Sequence, residues 1–338
     1  MKALVWHGNS DIRIDEVPEP ECRDGQAIIE VRHAGICGSD LTISAGKHPR
    51  SRPPLILGHE FSGVIVERKG NVYPDFKKGD RVVVDPSYYC GQCELCRSGN
   101  YHICHKKGLY GVDSDGAFAR FVAVSLANLH QLPGKVPFEE GAMVEPLAVA
   151  VRAVGISKLM FGEYVVVLGG GPIGLLVAQV ARVAGAAKVI MIEPLEFRSK
   201  IAEKMGFTVL TPDQASLEKV AAITGGYGID VVYDAAGAAP AARLSTQLVK
   251  RTGRIIVVAV YKESPPFDLS TVSYGELQIF GTCIYIHKDF IKAVALVENG
   301  KVELNPLITH RLPLAEGVKA MDSLKKGENA QKILLAVS

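Results

Sequence analysis

The sequence has no apolar run of about 18 residues free of charge, so nothing in it reads as a membrane-spanning helix. It has no charge imbalance either: 38 Lys and Arg stand against 36 Asp and Glu. That balance excludes the broad basic surface of a nucleic-acid binder and the polybasic patch of an anionic-membrane anchor. The opening residues, MKALVWHGNSDIRIDEV, lack the apolar core of a signal peptide, which makes the cytoplasm the expected compartment. No low-complexity segment, internal repeat or flexible linker interrupts the chain. What is present is an ordinary globular composition, 48% hydrophobic and 22% charged over 338 residues. At roughly 150 residues per domain, that length suits two domains. A chain of this size buries enough surface to need no covalent staple.

Seven cysteines, an odd number, argue against a disulfide framework in a chain with no export signal. Four of them cluster as Cys90-x2-Cys93-x2-Cys96-x7-Cys104. Two-residue gaps let successive thiolates converge on one centre, and four thiolates close a tetrahedral zinc shell. Paired disulfides would need an oxidising compartment, and an iron–sulfur cluster would need other signs of electron transfer. A redox dithiol needs only two cysteines. The spacing therefore reads as a structural zinc site. The lobe GQCELCRSGNYHIC has little core of its own, so metal binding would supply its folding free energy.

Residues 1–150 read as β-rich, with β-branched runs at Ala27–Val31, Gly63–Val66 and Arg81–Val84 bounded by Gly, Pro or Asp. Near residue 160 the pattern changes to apolar strands alternating with helices. Strands are expected at Val165–Leu168, Lys188–Ile192, Thr208–Leu210, Asp230–Tyr233 and Arg254–Ala259. Helices are expected near Pro172–Ala184, Asp213–Ile223 and Pro240–Lys250. This α/β alternation indicates a parallel sheet covered on both faces. The tail adds a helix at Asp289–Glu298 and a last strand at Lys332–Val337.

The strand VVVL runs into Gly169-Gly170-Gly171-Pro172-Ile173-Gly174, a G-x-G-x-x-G loop that opens a helix. Gly169 allows the tight turn, Gly171 a close approach by a pyrophosphate, and Gly174 close packing of helix on strand. The phosphates would meet the positive end of the helix dipole. Glu193 closes the next strand, 19 residues beyond Gly174. A carboxylate there accepts hydrogen bonds from ribose hydroxyls and repels the extra phosphate of NADP, so NAD is expected. Arg198, five residues on, weakens that preference.

Three further candidate ligands stand in the first domain: Cys37 in GICGSD, His59 beside Glu60 in LGHEFSG, and Glu145 in the apolar stretch AMVEPLAVAV. A lone Cys is usually a small buried hydrophobe. A lone His is more often a core or surface residue than a ligand. A carboxylate in an apolar run needs a cation, a donor or a proton. One thiolate, one imidazole and one carboxylate would leave the open fourth position of a catalytic zinc.

Taken in order, GICGSD, LGHEFSG, GDRVVVDP, the four-cysteine lobe, VEPLAVAV, LGGGPIG and PLITHRLPL span nearly the whole chain. Together they resemble the zinc-containing medium-chain alcohol dehydrogenases, and within them the polyol (sorbitol-type) branch. The resemblance implies a GroES-like β-barrel formed by residues 1–151 and 286–338, with the zinc lobe at about 86–106. It also implies a Rossmann doubly wound domain over 152–285, NAD, one catalytic and one structural zinc, and a homodimer or homotetramer. By position, Cys37, His59 and Glu145 match the catalytic-zinc ligands, with Glu60 reaching the metal directly or through water. Ser39 matches the hydroxyl that passes the substrate proton onward. Gly169, Gly171, Pro172, Ile173, Gly174, Glu193 and Arg198 match cofactor positions.

The chain also departs from that pattern. Many relatives end the proton relay on a His where this sequence has Thr42, so water or another group must take the proton. Sorbitol-type enzymes carry a Tyr where Ile43 stands, and an Arg before a Tyr where Ile284-Tyr285 stands. A hydroxyl-binding pocket depends strongly on such groups. The resemblance therefore points to NAD-linked oxidation of a secondary alcohol smaller or less polar than sorbitol, diols included. Sugar alcohols or their phosphates, aldonates and L-threonine are the alternatives. A phosphate would need a basic pocket, and His48, Arg50 and Arg52 form a basic loop that reads better as a solvated one. A catalytically silent NAD sensor is the reading from another class, but such a chain would be free to lose Cys37, His59 or Glu145.

Overall fold

A computed structural model describes residues 1–71, 74–327 and 329–338. The chain folds into two units. One comprises residues 1–145, 286–300 and 308–338; the other comprises 146–285 and 301–307. Helix Val144–Ser157 straddles their boundary.

The second unit is built on six parallel strands. Across the sheet they run Thr208–Leu210, Lys188–Ile192, Tyr164–Leu168, Ile229–Asp234, Val249–Val257 and Gln278–Gly281. The chain starts in the middle, winds to one edge, then returns and winds to the other. Ligands bind such a sheet at the carboxyl ends of the strands where the order reverses, here between Tyr164–Leu168 and Ile229–Asp234. Val166, Leu168, Ile190, Ile192, Val232 and Ile255 fill the core on these strands. Such all-apolar strands are what a sheet covered on both faces requires.

Three helices differ from the sequence expectation, the tail helix by starting at His287 and not at Asp289. The one expected from Asp213 begins at Leu217, because the Ser216 hydroxyl accepts from the Lys219 N–H and caps it there. The one expected to reach Lys250 ends at Leu248, because β-branched Val249 pairs with Ile229 and starts the next strand early.

The first unit is a β-barrel-like body. A seven-stranded sheet runs in the order Leu129–Gln131, Arg81–Val84, Glu60–Arg68, Gln26–Gly35, Lys332–Ala336 and Ile308–Pro313, with Phe121–Ser125 also paired to Gln26–Gly35. A smaller sheet joins Asp11–Glu16, Lys2–Gly8 and Leu55–Ile56. Leu4, Ile29, Ile43, Phe61, Ile65, Phe118 and Leu335 pack between them. The central strand reaches Gly35, four residues beyond the expected Val31, because Ala34 and Gly35 pair with the C-terminal strand on one side and with Phe61 and Glu60 on the other. Among the described residues, no helix is long and apolar enough to cross a membrane.

Candidate active site and structural metal lobe

Three strands carry the first group of side chains to one point. Strand Gln26–Gly35 ends just before Cys37, Glu60 opens the strand beside it in register with Gly35, and Lys332 opens the strand on the other side. A Cβ at Gly35 would lie 2.3 Å from Glu60 Oε2, so any larger residue there would displace that carboxylate. Cys37 caps the short helix Gly38–Ser44, and its backbone N–H donates to Asp40 Oδ2 at 2.8 Å. Cys37, His59 and Glu60 each offer a ligand atom, all within 4.8 Å of one another. Glu145 lies outside that set, buried in the first turn of helix Val144–Ser157.

The electrostatics of this pocket suit a cation. His59 Nδ1 faces Asp40 Oδ1 at 3.6 Å, and its Nε2 lies 3.3 Å from Ser39 Oγ. A carboxylate behind the imidazole fixes the ring and raises its basicity, as outer-shell partners of metal-bound His do. Burial alone would lower the His59 pKa, but Asp40 and Cys37 outweigh it and hold the ring well above its ordinary value. Glu60 is buried and paired with Lys332, whose Nζ donates to both carboxylate oxygens at 2.9 and 2.6 Å and to the Ile36 carbonyl at 3.1 Å. Burial would lower the Lys332 pKa, yet Glu60, Cys37 and Glu145 raise it above the usual lysine value.

Sequence reasoning named Cys37, Ser39, His59, Glu60 and Glu145 but missed Asp40 and Lys332. Asp40 could have been found: a carboxylate three residues after Cys37 is the capping-box position of a helix start. Lys332 carried only a faint signal, a single cation opening an apolar strand.

The four lobe cysteines converge as their spacing predicts. Four of their six sulfur–sulfur distances are 3.5 to 3.9 Å, too far for a disulfide, and all four sulfurs lie within 4.8 Å of one another. Zinc–sulfur bonds of about 2.3 Å in a tetrahedron put sulfurs about 3.8 Å apart, so the lobe fits zinc. Backbone N–H groups of Gln92 and Cys93 push the Cys90 thiol down to about 6, while burial pushes Cys96 up to about 12. Replacing Cys93 with Ser should remove one zinc per chain and lower thermal stability, because binding free energy is folding free energy here. A variant of unchanged stability with full zinc content would contradict the structural role.

The glycine loop leaves the carboxyl end of strand Tyr164–Leu168 and opens helix Pro172–Val183, with Pro172 at its first turn. Gly169 turns at φ +96°, and a Cβ on Gly174 would strike the Gly169 carbonyl oxygen at 1.8 Å. Even alanine is excluded at Gly174. Glu193 is buried at the end of the neighbouring strand, accepting from the Gly170 N–H at 2.6 Å and the Leu195 N–H at 2.8 Å. Its carboxylate is therefore fixed against the loop. The Arg198 guanidinium lies 3.6 Å from where a Gly171 Cβ would stand. This arrangement offers helix-terminal N–H groups for phosphates, an acid for ribose and a cation beside the turn.

The basic loop near the first group is already occupied. Arg50 makes two hydrogen bonds of 3.0 Å to Asp113, Arg52 donates to the carbonyls of Pro49 and Ser51, and His48 Nδ1 lies 2.8 Å from Ser51 Oγ. Ile43 is fully buried in the barrel core, and the Thr42 hydroxyl donates to the Gly38 carbonyl at 3.2 Å.

The alcohol dehydrogenase GroES-like domain family matches residues 23–134, and the zinc-binding dehydrogenase family matches residues 172–299. Over nearly the full length of both chains, the sequence is 38% identical to a sorbitol dehydrogenase of Halalkalibacterium halodurans, covering 99% of each. It is 37% identical to a 2-dehydro-3-deoxy-L-galactonate 5-dehydrogenase of Pseudoalteromonas atlantica, covering 99% of this chain and 98% of that one. The crystal structure of 2R,3R-butanediol dehydrogenase from Bacillus subtilis superposes with a TM-score of 0.91 at 32% identity, covering 100% of this chain and 99% of that one. These likenesses span both units and both groups of candidate ligands. The chain belongs to the zinc-containing medium-chain alcohol dehydrogenases, in their polyol dehydrogenase branch, and is an oxidoreductase of alcohols.

Proposed function

We propose that this chain catalyses the reversible NAD-linked oxidation of a secondary alcohol, one with a second oxygen on the neighbouring carbon, to the ketone. The observation that carries the reading is the convergence of Cys37, His59 and Glu60 within 4.8 Å, with the Ser39 hydroxyl 3.3 Å from His59 Nε2. Cys37, His59 and Glu145 would hold the catalytic zinc, with Glu60 alongside. Zinc, when bound, supplies Lewis acidity that lowers the pKa of an alcohol hydroxyl. NAD, held by the Gly169–Gly174 loop, supplies the hydride acceptor.

The residues do the rest. Asp40 stands beside His59 Nδ1 and leaves Nε2 to face Ser39. Ser39 Oγ accepts the substrate hydroxyl proton and passes its own toward solvent. Thr42, whose hydroxyl donates to the Gly38 carbonyl, takes no part as a base, because a neutral hydroxyl does not hold an extra proton near neutral pH. Lys332 holds the Glu60 carboxylate in place. Sorbitol, 2R,3R-butanediol and 2-dehydro-3-deoxy-L-galactonate, the substrates named for the relatives, all carry a secondary hydroxyl beside another oxygenated carbon. A phosphorylated substrate fits less well, because Arg50 is already committed to Asp113.

The buried Glu193 carboxylate favours NAD over NADP. Replacing Glu193 with Gln should shift the ratio of kcat/KM for NAD over NADP toward NADP by on the order of 10-fold, the worth of one charge-assisted hydrogen bond. An unchanged ratio would place the discrimination elsewhere. The reduced lobe thiols suit the cytoplasm. The edge strand Gln278–Gly281, which has no outer neighbour among the described residues, suits a homodimer or homotetramer built by continuing the sheet.

The test is NADH formation from NAD across vicinal diols, polyols, sugar-alcohol phosphates, aldonates and L-threonine, each with and without a zinc chelator. Chelator-sensitive turnover of diols, polyols or aldonates is expected. Turnover confined to phosphate esters would overturn the substrate class.

A further inference from the structure

A third set of metal-ligating side chains meets in the barrel unit, apart from both groups above. Asp85 follows strand Arg81–Val84, and His130 lies in the paired strand Leu129–Gln131. His287 opens the helix His287–Glu298, just after the chain re-enters this unit at Ile286. One ligand atom from each lies within 4.8 Å of the others.

The three side chains are positioned in different ways. Asp85 Oδ1 accepts from the Ser87 N–H at 2.9 Å, and the Asp85 carbonyl accepts from the Asn128 amide at 2.6 Å. The His130 ring packs 4.5 Å from the Phe290 ring and 4.8 Å from the His287 ring, centroid to centroid. The His287 N–H donates to the Tyr101 hydroxyl at 2.8 Å. Tyr101 lies in the turn Tyr101–Ile103 that leads into Cys104, so the start of this helix is tied to the zinc lobe.

His130 carries the argument. It is 8% exposed, and its Nε2 is buried with no hydrogen-bond partner among the described residues. A buried polar nitrogen without a partner is costly and calls for an explanation. A second histidine and a carboxylate converge on it, and the exposed His287 leaves a route from solvent. Two imidazoles and one carboxylate are a donor set for zinc with one position left for water.

We propose that Asp85, His130 and His287 form a further zinc site that fastens the start of helix His287–Glu298 to the barrel. The site stands independently of the reaction and of the two family zinc ions, each of which has at least one cysteine ligand.

The test uses the full-length, two-zinc protein dialysed against zinc chloride, with bound metal counted per chain. Wild type should take up one further equivalent. His287→Ala, an exposed substitution, should keep the first two equivalents and full dehydrogenase turnover, while binding the extra one at least about 100-fold more weakly. Cobalt chloride offered to the same two-zinc protein should give d–d absorption with no thiolate-to-cobalt charge-transfer band. Failure of wild type to bind a further equivalent would overturn the proposal. So would equal uptake by His287→Ala, or a thiolate band from the added cobalt.

Discussion

Replacing Cys37 or His59 with Ala should lower turnover by on the order of 10³-fold or more while dinucleotide binding survives. A zinc acting as Lewis acid contributes several kcal/mol to the transition state, and each 1.36 kcal/mol is tenfold in rate. Cys37 supplies the only thiol in the Cys37–His59–Glu60 set, and His59 the only imidazole. Cys37→Ala is the cleaner of the two, because the Cys37 backbone N–H bond to Asp40 does not need the sulfur. The residues proposed to hold NAD, Gly169–Gly174 and Glu193, belong to the other unit, so cofactor titration should be unchanged. Steady-state kinetics beside NADH titration would separate the two effects. Normal turnover in either variant would remove these residues from the chemistry.

The second large effect concerns Lys332. Lys332→Met should destabilise the protein by about 3–5 kcal/mol, the usual cost of leaving one partner of a buried ion pair without the other. For a chain of this size that is a fall in melting temperature of roughly 4–7 °C. Both partners are almost completely buried, Lys332 at 4% and Glu60 at 1% exposed, so water cannot replace the lost ammonium. Adding Glu60→Leu should recover most of the loss, because two well-packed apolar side chains tolerate burial that a lone carboxylate does not. Thermal melts of the wild type, both single variants and the double variant close the cycle. A single Lys332→Met variant that melts with wild type would show that the pair holds nothing.

The parts of the molecule legible in the sequence are those whose signal is local. The turn at Gly169, the strand before it and the acid at Glu193 lie within some thirty residues, and their chemistry dictates their spacing. The same holds for Cys90, Cys93, Cys96 and Cys104, whose sulfurs meet as two-residue gaps imply. Strands Arg81–Val84, Lys188–Ile192 and Thr208–Leu210 run over the expected residues, since apolar β-branched runs between turn residues have one good reading. Long-range partners were not legible. Lys332 meets Glu60 across 272 residues, and no local pattern marks it, because the sheet order that brings the C-terminal strand beside Gln26–Gly35 is a tertiary outcome. The cluster of Asp85, His130 and His287 escaped for the same reason: three isolated residues on two strand segments and a helix start have no common spacing. Helix ends at Leu217 and Leu248 were misplaced because a cap and a strand pairing set them, and propensity does not.

The measurement that bears most directly on the central claim is NADH formation by zinc-stripped and zinc-restored protein, using the fastest alcohol of the substrate panel. Zinc counted on the same samples ties rate to metal. The account predicts that turnover vanishes with the zinc held at Cys37 and His59, that NAD still binds, and that added zinc chloride restores the rate. Turnover that persists in protein shown to lack this zinc would contradict it.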